Sequence, residues 1–267
     1  MAYFQNVTAL PPEIAAPLLG TVNGKTAMLW SILGSRSQGW SSTSVFGDAC
    51  EYLDTSQADM NTPTSGQTLY VVSTSANDAS AGTGVRTVQI VYLDASGNLA
   101  ATTKTMNGTT PVSCGTGFTF ILWMESVTVG AGNIAAGNIS ITSTNGAATV
   151  ATTFEYISAG GNRSLSGRCK IPTGYSGYLL SWSAAPISAT MDAQIRTDTL
   201  AYDRSLSAGA VHFQDRVFLA SGAKQDQAPL WYLKCPAGAV IKVSAIPGSA
   251  PAGNKLDCSF GLLLVAT

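Results

Sequence analysis

Charged side chains are scarce in this 267-residue sequence: Asp, Glu, Lys and Arg make up 11% of it, against about 25% in ordinary soluble domains. The 14 basic and 15 acidic residues nearly cancel, leaving a formal net charge of −1. No basic cluster accumulates to neutralise phosphates, so nucleic acid is not an expected partner. No apolar run approaches the ~20 residues of a membrane-spanning helix, so no membrane partner is expected either. Histidine is almost missing, with His212 the single copy. A Ser-His-Asp triad would have to use it, yet no GxSxG elbow accompanies it. Zinc catalysis of the three-ligand kind would need more histidines or closer cysteines. Cys50, Cys114, Cys169, Cys235 and Cys258 are far apart and form no CxxC, so they read as small buried thiols. The opening MAYFQNVTALPPE has neither a basic nor an apolar signal region, and the product is expected to stay in the cell that makes it.

What the sequence does have is apolar mass and turn residues. It is 45% apolar, enough for a sizeable core, and carries 27 glycines. With so little charge, the surface must be built from Ser, Thr, Asn, Gln, Ala and Gly. Such a surface costs little to desolvate and suits contact with other proteins.

Two regions are expected. Residues 1–45 read as an extended arm, broken by Pro11, Pro12 and Pro17 yet rich in apolar side chains, with a short helix expected over Lys25–Leu33. Residues 46–267 read as a β-sandwich. About a dozen β-branched or aromatic runs, among them Thr68–Thr74, Val85–Leu93, Leu99–Met106, Phe118–Val129, Met191–Thr197, Leu230–Leu233 and Leu256–Val265, alternate with Gly, Pro and Ser breaks. Asp94-Ala-Ser-Gly-Asn98 signals a hairpin. Lys170-Ile-Pro-Thr-Gly174 and Lys234-Cys-Pro-Ala-Gly238 read as two corners of one sandwich. The fold class expected is all-β, a jelly-roll-like antiparallel β-sandwich with an N-terminal extended arm.

Chemistry is hard to find in these residues. Gly82-Thr-Gly84 precedes a strand, whereas a nucleotide-binding glycine loop follows one and opens a helix. Asp192, Asp198 and Asp203 alternate with Arg196 and Arg204, a pattern more typical of a salt-bridged surface than of a glycosidase pair or calcium site. Trp123, Trp182 and Trp231 fall within strands as core or interface aromatics, and Trp40, beside Arg36, reads as an exposed contact or a sugar platform. The residues expected to touch partners are Phe4, Leu10, Pro11, Ile14, Leu18, Trp30, Arg36 and Trp40.

One series of motifs resembles a known family. Val72-Ser-Thr-Ser-Ala-Asn-Asp-Ala-Ser-Ala-Gly-Thr-Gly-Val-Arg-Thr-Val88 is followed by Leu93-Asp-Ala-Ser-Gly-Asn-Leu99, Met106-Asn-Gly-Thr-Thr-Pro-Val112 and Ala136-Gly-Asn-Ile-Ser-Ile141. Ile157-Ser-Ala-Gly-Gly-Asn-Arg-Ser-Leu165 and Ile171-Pro-Thr-Gly-Tyr-Ser-Gly-Tyr-Leu179 continue it. In this order they resemble β-rich virion proteins of tailed bacteriophages, many of them marine or cyanobacterial. Tyr175 and Asn162-Arg163 depart from that pattern. The resemblance covers roughly residues 68–183. It implies a jelly-roll-like virion structural protein made in the host cytoplasm, with no catalytic residue, cofactor or metal. The expectation is a decoration or cement protein on the capsid surface, trimeric, holding copies of itself and the major capsid protein. A tail, neck or head-fibre part and a carbohydrate-binding adhesion module are the alternatives.

Overall fold

The computed structural model describes residues 18–22, 25–36, 47–51, 59–187, 190–197, 212–219, 224–227, 234–248 and 254–267. Within them the chain is all-β, built from antiparallel sheets, with one turn of 3-10 helix over Val150–Thr152.

The first unit is a jelly roll. Its strands are β1 (Leu18–Val22), β2 (Lys25–Arg36), β3 (Gly47–Asp48), β11 (Arg168–Lys170), β12 (Tyr175–Pro186), β13 (Met191–Thr197), β14 (His212–Leu219), β15 (Gln225–Gln227), β16 (Lys234–Cys235), β17 (Val240–Pro247) and β18 (Leu256–Ala266). One sheet runs β1-β2-β18-β12-β15, with β16 sharing the far edge of β12. The other runs β11-β17-β13-β14, with β3 also on β17. Taken in chain order, β2, β3, β12, β13, β14, β15, β17 and β18 thus change sheet at every step except β13 to β14, the nested double Greek key of a jelly roll.

The helix expected over Lys25–Leu33 is part of strand β2, so this stretch of the expected arm belongs to the sandwich. Met28, Trp30 and Ile32 point inward and Ser31 and Leu33 outward, a period of two. Strand β18 pairs with β2 from Ala27 to Arg36, giving every one of those residues a ladder position that a helix would forfeit. A bulge between Leu179 and Ser181 lets β12 bury both Leu179 and Trp182. The two Pro-x-Gly corners do lie together: Ile171 N–H donates to Ala239 O at 2.9 Å, and Gly238 N–H donates to Ile171 O at 2.8 Å.

The second unit is inserted into the first. Strands β3 and β11 are successive pieces of one strand line against β17. Gly47 and Asp48 face Ala245 and Ser244, and Arg168, Cys169 and Lys170 face Lys242, Ile241 and Val240. Residues 50–167 leave that line and return to it. They carry β4 (Leu69–Ser73), β5 (Val85–Leu93), β6 (Leu99–Thr105), β7 (Val112–Gly115), β8 (Phe120–Val129), β9 (Ile139–Thr142) and β10 (Thr153–Ile157). These form the sheets β10-β9-β4-β7 and β6-β5-β8.

Among the described residues, 46–267, expected as one sandwich, therefore hold two large cores, with a small cluster of Cys50 and Met60 besides. The insert's own core gathers Leu69, Val88, Ile90, Ile121, Met124 and Ile139. The alternate residues Val91, Leu93, Phe120 and Leu122 belong to the jelly-roll core, with Trp30, Trp182 and Phe260. A sheet with cores on both faces needs apolar residues without alternation, which explains the unbroken run Phe120-Ile-Leu-Trp-Met124.

Candidate functional site

Several of the motif segments picked out in the sequence meet at one buried carboxylate. Asp78 is 0% exposed. Its Oδ1 accepts from Val85 N–H at 2.7 Å and Ala136 N–H at 2.9 Å. Its Oδ2 accepts from Gly137 N–H at 2.9 Å and the Ser73 hydroxyl at 2.6 Å. Its backbone carbonyl takes the Gly108 N–H at 2.7 Å. The stretch Ser73–Val85, the Asn107-Gly108 turn and Ala136-Gly137 are thereby locked together. A Cβ at Gly84 would collide with Asp78 Oδ1, and one at Gly82 with the Asn77 carbonyl, so both glycines are required for packing. A further motif pair meets elsewhere: Thr173 N–H donates to Gly97 O at 2.8 Å and its hydroxyl to Ser96 O at 2.9 Å. The β5–β6 hairpin of the insert is thus tied to a jelly-roll corner.

A second polar cluster sits where the insert departs. Asp48, 2% exposed, accepts from Ser244 Oγ at 2.9 Å, Met60 N–H at 3.1 Å and Arg196 Nη2 at 3.2 Å, and Lys242 Nζ lies 3.0 Å away. Its backbone oxygen takes Arg36 Nη1 at 3.0 Å. Burial by itself would raise the Asp48 pKa, but Lys242, the Met60 N–H and Arg196 outweigh it and hold the carboxyl below its ordinary value. Lys242 also reaches Asp59 at 3.1 Å.

The third cluster sits where the insert returns. Arg168 donates to Asn61 O at 2.9 Å and Phe154 O at 3.1 Å, and its guanidinium lies 4.6 Å from the Phe120 ring centre. Asn61 in turn donates to Val150 O and Thr153 O, both at 2.9 Å. Glu155 is 0% exposed, and its Oε2 and the Arg168 Nε make no hydrogen bond. Burial pushes Glu155 up to about 7, with Arg168 pulling it partly back. Close by, Trp30 meets Trp123 edge-on at 5.4 Å, and Arg163 lies 5.6 Å from the Trp123 ring centre.

Of the residues expected at partner contacts, Phe4, Leu10, Pro11, Ile14 and Trp40 lie outside the described residues. Leu18 opens β1, its backbone paired with Leu29. Trp30 and Arg36 differ from expectation. They are 4% and 0% exposed, and both serve the chain's own interior. Arg196, expected on a salt-bridged surface, pairs inward with Asp48. Sequence reasoning missed Asp48, Glu155 and Arg168; it reads Asn77-Asp78 only as thin coordination for a cation, not as a buried tie. Asp78 alone had a local signal, as the one carboxylate inside a Ser- and Gly-rich motif. Asp198, Asp203, Arg204 and Trp231 fall outside the described residues, and nothing is described of the His212 side chain. Burial raises the pKa of Cys114 to about 11, and the Cys169 and Cys258 thiols are also pushed up by burial. These three are protonated near neutral pH. Among the described residues no three His, Cys, Asp or Glu side chains converge as a metal site.

No protein-family model matches the chain, and no curated protein matches its sequence. Three solved structures of infectious bursal disease virus are loosely similar. A Gx-strain chain is 9% identical, with 100% of this chain and 78% of that one covered, at a TM-score of 0.26. A Gt-strain chain is 8% identical, with 93% and 74% covered, at a TM-score of 0.23. The chain of a VP2 subviral particle is 10% identical, with 97% and 77% covered, at a TM-score of 0.20. Scores this low establish no common fold, and nothing is carried over from these structures.

Proposed function

We propose that this chain is a virion structural protein of a tailed bacteriophage, a decoration or cement protein that stabilises the head. The observation that carries this reading is the convergence on Asp78 of motif segments far apart in sequence. Ser73, Val85, Ala136 and Gly137 all donate to one carboxylate. The segments that carry the resemblance are held in one buried arrangement, which supports reading them as a unit and not as separate loops. The sparse charge supports the same reading, because a Ser-, Thr- and Gly-rich surface suits repeated contact with copies of itself and the major capsid protein. On a particle, many weak contacts add to strong retention.

The test is quantitative electrophoresis of purified particles, paired with rebinding to expanded heads that lack the protein. A cement protein gives on the order of hundreds of copies per particle and raises the heat resistance of the head, whereas a tail or neck part gives about a dozen copies. Absence from the particle overturns the reading altogether.

A further inference from the structure

We propose that Asn145-Gly146, in the loop between β9 and β10, is a self-modification site at which the chain loses ammonia and acquires an aspartate or isoaspartate. The fold protects the chemically identical pair Asn107-Gly108 from the same reaction. The proposal goes beyond the virion reading and holds whether or not the chain belongs to a particle.

The chemistry needs an asparagine followed by an accessible backbone nitrogen. Glycine after asparagine suits it best, because no Cβ obstructs the approach of the side chain. The Gly146 nitrogen gives its proton to solvent hydroxide and attacks Asn145 Cγ. A nitrogen–carbon bond forms, the Cγ–Nδ2 bond breaks, and Nδ2 leaves as ammonia with a proton from water. Water then opens the succinimide ring. Attack at Cγ yields aspartate, and attack at the main-chain carbonyl yields isoaspartate, whose backbone runs through Cβ. The balance is one water consumed and one ammonia released, with nothing oxidised or reduced.

Asn107-Gly108 and Asn145-Gly146 are the two such pairs among the described residues, Asn23-Gly24 lying outside them. At the first pair the nucleophile is engaged. Gly108 is buried, and its N–H donates to Asp78 O at 2.7 Å. A Cβ there would come within 2.9 Å of Ala76 Cα, so the turn is packed against backbone. The Gly108 carbonyl also accepts from Ser73 N–H at 3.0 Å. Ring closure would remove the Gly108 hydrogen and leave the Asp78 carbonyl without its donor, at a fully buried residue.

At the second pair nothing restrains the reacting atoms. Asn145 is exposed and Gly146 half-exposed, and among the described residues neither has a hydrogen-bond partner. A Cβ on Gly146 would meet nothing nearer than Thr144 Oγ1 at 3.6 Å. The loop is tied only at its ends. Ser143 N–H donates to Thr152 O at 3.0 Å, Thr144 N–H to Thr142 Oγ1 at 3.3 Å, and Thr149 N–H to Thr152 Oγ1 at 3.0 Å. The extra backbone atom of isoaspartate therefore falls between two anchors and leaves the β9–β10 pairing intact. The new carboxylate takes the formal net charge from −1 to −2.

The test incubates the purified full-length chain at pH 6 and pH 8 and follows both pairs by peptide mapping, with fragmentation that separates isoaspartate from aspartate. The expected result is both products at Asn145, faster at pH 8, with Asn107 at least about tenfold slower because its turn must first open. In guanidinium chloride the two rates should converge. Gly146→Val should slow the reaction at Asn145 and leave Asn107 unchanged. The proposal is overturned if Asn107 keeps pace with Asn145 in the folded chain, if Asn145 stays intact at pH 8, or if aspartate forms without isoaspartate. None of these outcomes bears on whether the protein is found on particles, so the two readings fail separately.

Discussion

Ala49 and Arg168 are adjacent along β17 although residues 50–167 separate them in sequence. Ala49 N–H donates to Val243 O at 3.0 Å, Val243 N–H donates to Gly167 O at 2.9 Å, and Arg168 faces Lys242. One strand of the jelly roll is thus split to admit a second sandwich. The split is held on one side by Asp48 and on the other by Arg168.

Arg168 binds carbonyls of the insert while sitting in a jelly-roll strand. Arg168→Met should cost about 3–5 kcal/mol, because it leaves Glu155 buried without its opposite charge. Adding Glu155→Gln should restore part of that loss. Urea unfolding of both single variants and the double variant closes the cycle. Strict additivity would show that the two side chains do not interact.

Stability should also vary with pH through Glu155. Its folded pKa, about 7, lies above its ordinary 4.5, so the folded state holds a proton that the unfolded state releases. This contribution is fully present below about pH 4.5 and is lost as pH rises through 7, on the order of 1–3 kcal/mol. Glu155→Gln should flatten the melting temperature between pH 5 and pH 8. A variant as pH-dependent as the wild type in that window would refute the assignment.

Asp48 works in the opposite sense. Its pKa is held below 3.8, so its contribution is present above that value and lost as pH falls through the lower folded pKa. Asp48→Asn should cost about 3–5 kcal/mol at neutral pH, since Lys242 and Arg196 keep their charges. The penalty should shrink in acid, which denaturant titration at pH 3 and pH 7 would reveal.

Asp78→Ala strips the acceptor from four donors at once. The expected loss is at least about 3 kcal/mol. Hydrogen exchange should accelerate first at Val85, Ala136 and Gly137. Unchanged protection there would count against the carboxylate as the tie between these segments. Gly84→Ala, which crowds the same oxygen, should produce the same exchange pattern.

Much of the secondary structure was legible because it is a local property. Met191–Thr197 was read to the residue, Leu256–Val265 and Phe118–Val129 nearly so, and Asp94–Asn98 as the turn of a hairpin. Side-chain period and turn chemistry decide these within a few residues. Lys25–Leu33 departs from the expected helix because Ala, Met, Leu and Trp are compatible with a helix, and only pairing with β18, more than 200 positions away, makes the strand. Short strands such as β3 and β16 had no period to display.

The sequence by itself determined an all-β chain with little charge, abundant turns and an ordered motif series. Local propensity and composition suffice for that. Only the tertiary structure decided that residues 50–167 are an insertion with its own core, and that Trp30 and Arg36 face inward. It also decided that Asp48, Asp78, Glu155 and Arg168 become buried polar ties. The reason is physical: a carboxylate or guanidinium acquires its role from the dielectric and the donors around it, and distant strands bring those together.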